Sequence, residues 1–154
     1  MRNILLALML GVTAAACSSG AQPPPFKPLL DTKGLMNNVI DPSADVIWGS
    51  AGQVVTAAGT EDLRPTTEEG WANVRNHAAV VAEAGNLLMI VPRAKDGDEW
   101  MRLSQAMVDT GAAAMRAAEA KDADQLFQAG ADIYSVCSNC HVKYLPEIVA
   151  AEGK

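Results

Sequence analysis

Apolar residues recur through this chain at steps of three and four, in four separate stretches, and that spacing restricts the fold more than any other feature. Alanine, leucine and methionine are plentiful, and no run of β-branched residues alternates with polar ones over a strand's length. The expectation is an all-α domain without strands. With short connections between the stretches, the four helices are expected to form an antiparallel, up-down-up-down four-helix bundle.

The first stretch runs from Thr32 to Ala58, with Met36, Ile40, Ile47 and Val54 on one stripe. Asp41-Pro42 interrupts it and reads as an N-cap followed by a first-turn proline, so a kinked helix or two successive helices are expected. A loop, Gly59 to Pro65, follows. The second helix opens at Thr66, which with Glu69 has the spacing of a capping box, and its stripe is Trp71, Val74, Ala78, Val81, Gly85 and Leu88, ending before Pro92. The third starts near Asp98 and runs to Ala120 on Trp100, Leu103, Met107 and Ala114. The fourth runs from Asp122 to Tyr144 on Leu126, Gly130, Ile133, Cys137, Cys140 and Tyr144. The three tryptophans, and Met89, Met101, Met107 and Met115, read as core.

The N-terminal segment is not part of this pattern. Arg2, the uncharged apolar run Ile4 to Val12 and the small residues Ala14-Ala15-Ala16 have the layout of a secretory signal peptide over residues 1–16. The run is shorter than the ~20 apolar residues of a membrane-spanning helix. Ala15, Ala16 and Cys17 match a lipobox, whose cysteine is acylated after cleavage, while Ala14 stands where leucine is usual. Ala14-Ala15-Ala16 also suits ordinary signal peptidase. Lipidation at Cys17 is the expectation, with a bacterial membrane reached only through that anchor. Residues 17–30, with Pro23-Pro24-Pro25 and Pro28, read as anchor and flexible linker, and residues 31–154 as one domain. The net charge of −6 excludes a nucleic-acid partner, which requires a basic footprint.

The chemistry is concentrated in Cys137-Ser138-Asn139-Cys140-His141. C-x-x-C-H is the attachment motif of one covalent c-type haem, with His141 as an axial iron ligand. On a helix, positions i, i+3 and i+4 share a face, so both thiols reach one edge of a porphyrin and the histidine lies beside them. All three cysteines then have a covalent role, Cys17 to lipid and Cys137 and Cys140 to thioethers. A thioredoxin-like dithiol belongs where a strand enters a helix, and here no strand is expected. A structural zinc site needs four ligands in tetrahedral array, and Cys137, Cys140 and His141 crowded on one turn, with His77 as the fourth, suit it poorly. No nucleophile–base pair or carboxylate dyad stands out, so no enzyme activity is expected.

With C-x-x-C-H near the end of a four-helix pattern, and Tyr144 three residues after His141, residues 30–150 resemble class II c-type cytochromes, the cytochrome c prime family. The resemblance implies an antiparallel four-helix bundle with haem attached to the C-terminal helix, and a periplasmic location. It admits a homodimer. It also implies electron transfer with an unidentified redox partner protein, or, in open-site members, binding of gases such as nitric oxide and carbon monoxide. In six-coordinate members a methionine early in the first helix is the distal ligand, and Met36 stands at that place; the alternative is that Met36 is core beside an open site. Leu145 departs from the family, which often has a basic residue there. His77 is a weaker ligand candidate. Arg75, Arg93 and Lys33 are candidates for the haem propionates or simply solvated charges. Gly130 either admits the macrocycle or a close neighbouring helix.

Overall fold

Helix α1 begins at Asp31, whose carboxylate accepts a hydrogen bond from the Gly34 N–H at 2.7 Å. In the computed structural model, which describes residues 26–147, α1 comprises three segments without a break: α-helical Thr32–Leu35, π-helical Met36–Ile40 and α-helical Asp41–Trp48. Asp41 is therefore not an N-cap. Its backbone is right-handed helical, and its N–H donates to the Met36 carbonyl five residues back. A proline inside an α-helix clashes with the carbonyl four residues earlier. The wider π turn moves that carbonyl away and lets the helix pass through Pro42.

The helix expected to reach Ala58 stops at Trp48, and the stretch beyond is a hairpin, not helix. Strands β1 (Gln53–Thr56) and β2 (Gly59–Asp62) pair antiparallel, with Thr56 opposite Gly59. The expectation of a chain without strands is corrected on this point. Gly52 and Gly59 adopt φ of 85° and 139°, which other residues rarely reach, and Val54-Val55-Thr56 favour extended backbone. Four residues are too few for a period-two pattern to register. Both strands are exposed, so Val54 leaves the expected core stripe. A ribbon this small is marginal alone. It is held by the Phe127 ring, which occupies the space beside Gly52, and by Leu63 N–H donating to Gly52 C=O at 3.0 Å.

Helix α2 spans Glu68–Leu88, α3 Glu99–Ala120 and α4 Ala123–Tyr144. The cap of α2 is Thr67, whose hydroxyl accepts from Gly70 N–H at 3.0 Å, one residue later than the Thr66/Glu69 expectation. Asp98 caps α3 and Asp122 caps α4. Between those two helices the chain reverses at Lys121, in the left-handed region at φ 54°.

The four helices pack against one another around a shared apolar core. The expected stripe of α2 is buried throughout, from Trp71 to Leu88, and so are Trp100, Leu103, Met107 and Ala114 of α3. Each fully buried Leu, Ile or Val contributes roughly 1.5–3 kcal/mol. Trp100 is buried, and its indole N–H donates to the Leu88 carbonyl at 2.8 Å. Trp48 is half-buried, as are Met89, Met101 and Met115. Among the described residues no helix is long and apolar enough to cross a membrane.

The tightest seam joins α2 to α3, running antiparallel. A side-chain carbon on Gly85 would lie 2.7 Å from the Ser104 carbonyl oxygen, and one on Gly111 would lie 2.5 Å from the Ala82 nitrogen. Both obstacles are backbone and cannot rotate away. Gly111→Ala should therefore cost about 1–3 kcal/mol through overpacking, although alanine is the better helix former. The check is a denaturant midpoint that falls at unchanged slope.

Candidate functional site

The inward face of α4 changes character along its length. Leu126, Ala129, Gly130 and Ile133 are buried against the other helices. One turn later Cys137, Cys140 and His141 are only half-buried, because they face a cavity instead of a packed neighbour. The cavity has a volume of ≈ 550 Å³, within the ~300–1,000 Å³ of small-molecule and cofactor sites. It lies between α1, α3 and α4, with Leu88 closing it from the end of α2.

Met36, Cys137, Cys140 and His141 all line this cavity. Residues 101 positions apart in the chain are thus brought to one chamber. Met36 is the first residue of the π turn, and π turns are frequent at functional sites because they re-aim side chains. Ile40, Ala44, Leu103 and Met107 supply apolar walls, while Asn37 and Asp41 stand on the α1 side. Met107 is a second thioether in the chamber, but it is 4 % exposed and belongs to the core cluster. Two thiols and an imidazole on one helical face, with a thioether on the facing helix and apolar walls between them, are the donor types that hold a covalent haem.

The two thiols are not poised as nucleophiles. Burial pushes Cys137 up to about 11, with the neighbouring Cys140 adding to it. Burial also raises Cys140, followed by the Glu99 carboxylate. A redox-active dithiol needs the opposite shift and a strand leading into its helix, whereas these cysteines lie late in a 22-residue helix. Among the described residues no three His, Cys, Asp or Glu side chains are grouped so as to hold a metal ion by themselves.

Other candidates from the sequence fall elsewhere. His77 faces α1, with Nδ1 3.3 Å from the Ser43 hydroxyl, and does not line the cavity. Arg93 is neither a solvated charge nor a cavity residue. It is 6 % exposed, and its guanidinium donates to the carbonyls of Leu30 and Leu87, each at 3.0 Å. It thereby joins the entry of α1 to the C-terminal end of α2, where a cation is favoured. Arg75 and Lys33 are exposed and do not line the cavity. Gly130 admits a neighbouring helix: its carbonyl accepts from the Trp48 indole N–H at 2.9 Å, and a side chain there would meet that ring at 3.2 Å. Cys17 and the signal segment lie outside the described residues.

Tyr144 supports the end of α4 that carries His141. Its ring meets Trp100 edge-on at 5.0 Å, and its hydroxyl donates to the Asp96 carboxylate. Asp96 also accepts from the backbone N–H of Trp100 at 2.8 Å and of Asp98 at 3.3 Å. Leu145 forms no part of this contact, but its N–H donates to the His141 carbonyl at 2.8 Å. Sequence spacing had no means of finding Asp96, which lies 48 positions from its partner. Nor did it place Trp48, Leu88, Tyr134 or Ser104 at the cavity, although Trp48 continues the Ile40–Ala44 helical spacing that could have pointed to it.

The Tyr144 hydroxyl is the main cause that holds the Asp96 carboxyl down at about 2, with the Trp100 N–H next. A carboxyl depressed on folding stabilises the fold above its unfolded value of ~3.9, and that stabilisation is lost as pH falls toward about 2. Tyr144→Phe should raise the Asp96 pKa and shift acid unfolding, followed by circular dichroism, to higher pH. Compared with known proteins, the chain matches no protein-family model, no curated protein and no solved structure.

Proposed function

We propose that this protein is a mono-haem c-type cytochrome that transfers electrons in the periplasm, built as an antiparallel four-helix bundle with its haem on the C-terminal helix. The observation that carries the reading is the convergence of Cys137, Cys140, His141 and Met36 on one apolar-walled cavity. Chain order alone requires no such convergence, and the rival uses of C-x-x-C-H do not call for a methionine across a chamber.

Cys137 and Cys140 would hold the haem through thioethers, and His141 and Met36 would ligate its iron. Such a haem supplies one-electron chemistry, and the His/Met pair raises its potential. The chain's own part is to fix the ligands and keep water out. Leu88, Leu103 and Met107 form the apolar back of the chamber, where low polarity disfavours the more highly charged state of any buried redox centre. The contacts of Tyr144 hold the turn from which His141 projects.

Met36 separates this reading from gas binding. A thioether on the iron leaves no open position, whereas an unligated iron admits nitric oxide or carbon monoxide. The half-buried Met36 on the π turn is the better placed of the two methionines, since Met107 is committed to the core. An export signal and an acylated Cys17 would place the domain on a bacterial membrane by a short tether.

The test is the absorption spectrum of the ferrous protein with and without carbon monoxide. A low-spin spectrum barely changed by the gas is expected, turning high-spin and gas-sensitive in Met36→Ala. A low-spin spectrum retained in that variant would sink the ligand assignment, and a high-spin native spectrum would favour gas binding. Cys137→Ala should leave the haem attached by one bond, shifting its pyridine haemochrome band, and the double variant with Cys140→Ala should let acid acetone extract it.

A further inference from the structure

The wall between α1 and α4 has a second, outward face. There a groove of ≈ 440 Å³ is lined by Ile47, Trp48, Phe127, Gly130, Ala131 and Tyr134 among others. Trp48 and Tyr134 line both this groove and the cavity that holds Met36 and His141. Their rings meet edge to face, with centroids 6.2 Å apart and planes at 71°. The indole of Trp48 is fixed by its bond to the Gly130 carbonyl. This aromatic pair is therefore shared by the chamber and the outward groove.

The outward surface is unusually apolar for its position. Phe127 is 59 % exposed and Tyr134 63 %, and Val54 and Val55 of the hairpin are exposed as well. Around this patch the charge is one-sided. The segments that build it, residues 45–64 and 124–135, carry Asp45, Glu61, Asp62, Asp124 and Asp132 against a single base, Arg64. That base is already paired with Asp62. An aromatic centre with a polar rim is the anatomy of a protein interface. A rim of one sign speeds encounter with a partner of the other sign.

We propose that this groove is the docking surface for a one-electron redox protein whose contact face is an apolar patch ringed by lysine and arginine. The inference rests on the electron-transfer reading above. Electron transfer falls steeply with distance, and docking here sets the partner's centre against the two rings that also line the chamber. With a haem held by Cys137, Cys140 and His141, the exchange would move one electron from the partner's centre to ferric iron, with no bond made or broken and no proton moved. A second copy of this chain is the poorer occupant, because it would set acidic rim against acidic rim. The groove suits a small, transient contact of the kind electron carriers use.

The haem-loaded protein is titrated with a lysine-rich mono-haem cytochrome c as the probe. Amide chemical shifts report binding, and stopped-flow absorption reports electron exchange. Shifts should centre on residues 127–135 and weaken with added salt. The exposed double variant Ala131→Lys, Asp132→Lys should lower affinity and the exchange rate by about tenfold at low salt, while its reaction with a neutral quinone changes by less than about twofold. Unchanged affinity in the variant, shifts centred elsewhere, or groove shifts that follow the protein's own concentration would each overturn the proposal. Wild-type protein that exchanges electrons with neither probe nor quinone would remove the electron-transfer reading itself; the binding shifts would then still decide the groove.

Discussion

Two glycines on facing helices set the close backbone approach between α2 and α3. Gly85 and Gly111 let α2 and α3 come into direct backbone contact over several turns, and this pair is the most intimate in the bundle. The bundle is consequently uneven. With α2 and α3 locked together, α4 lies along α3, while α1 touches α4 only lightly. The space left between α1, α3 and α4 is the cavity. Bulkier residues at either glycine would push α2 and α3 apart and alter the chamber that α3 walls with Leu103 and Met107.

A few polar contacts then fix the end of the bundle where the cavity lies. Trp100 donates to the last carbonyl of α2, Arg93 joins that helix end to the start of α1, and Asp96 ties the cap of α3 to the last residue of α4. Each spans elements that the core alone would leave free to slide. Arg93 is the costliest to bury, since a charge removed from water needs partners, and the carbonyls of Leu30 and Leu87 supply them. These ties join all four helices at the end of the bundle that carries His141. Under the proposed reading, His141 would need such rigidity for its geometry to persist through a change of charge.

At the other end of the chamber the constraint is proline. Pro42 could have broken α1, but the π turn before it absorbs the mismatch, and Met36 opens that turn. The same residues therefore keep the helix continuous and direct a thioether toward α4. The helix then ends in glycines, and the hairpin folds back so that Phe127 packs on Gly52. The surface groove lies beside this early ending, lined there by Ile47, Trp48 and Ala51.

The sequence by itself determined four amphipathic segments, most of their buried stripes and the placing of Cys137, Cys140 and His141 on one helical face. Those features repeat every three or four residues and are set by local geometry, so spacing is enough to read them. It misjudged Asp41 as an N-cap and Val54 as core, where an unusual turn and a short hairpin override the average period. It pointed to Met36 only through the resemblance of residues 30–150 to a family, not through anything adjacent to it. Tertiary structure alone decided that Met36 shares a chamber with residues about a hundred positions away, that Arg93 is buried, that Asp96 reaches Tyr144, and that Trp48 and Tyr134 divide cavity from groove. Such placements depend on how whole helices pack, and packing is fixed by the fit of many distant surfaces at once.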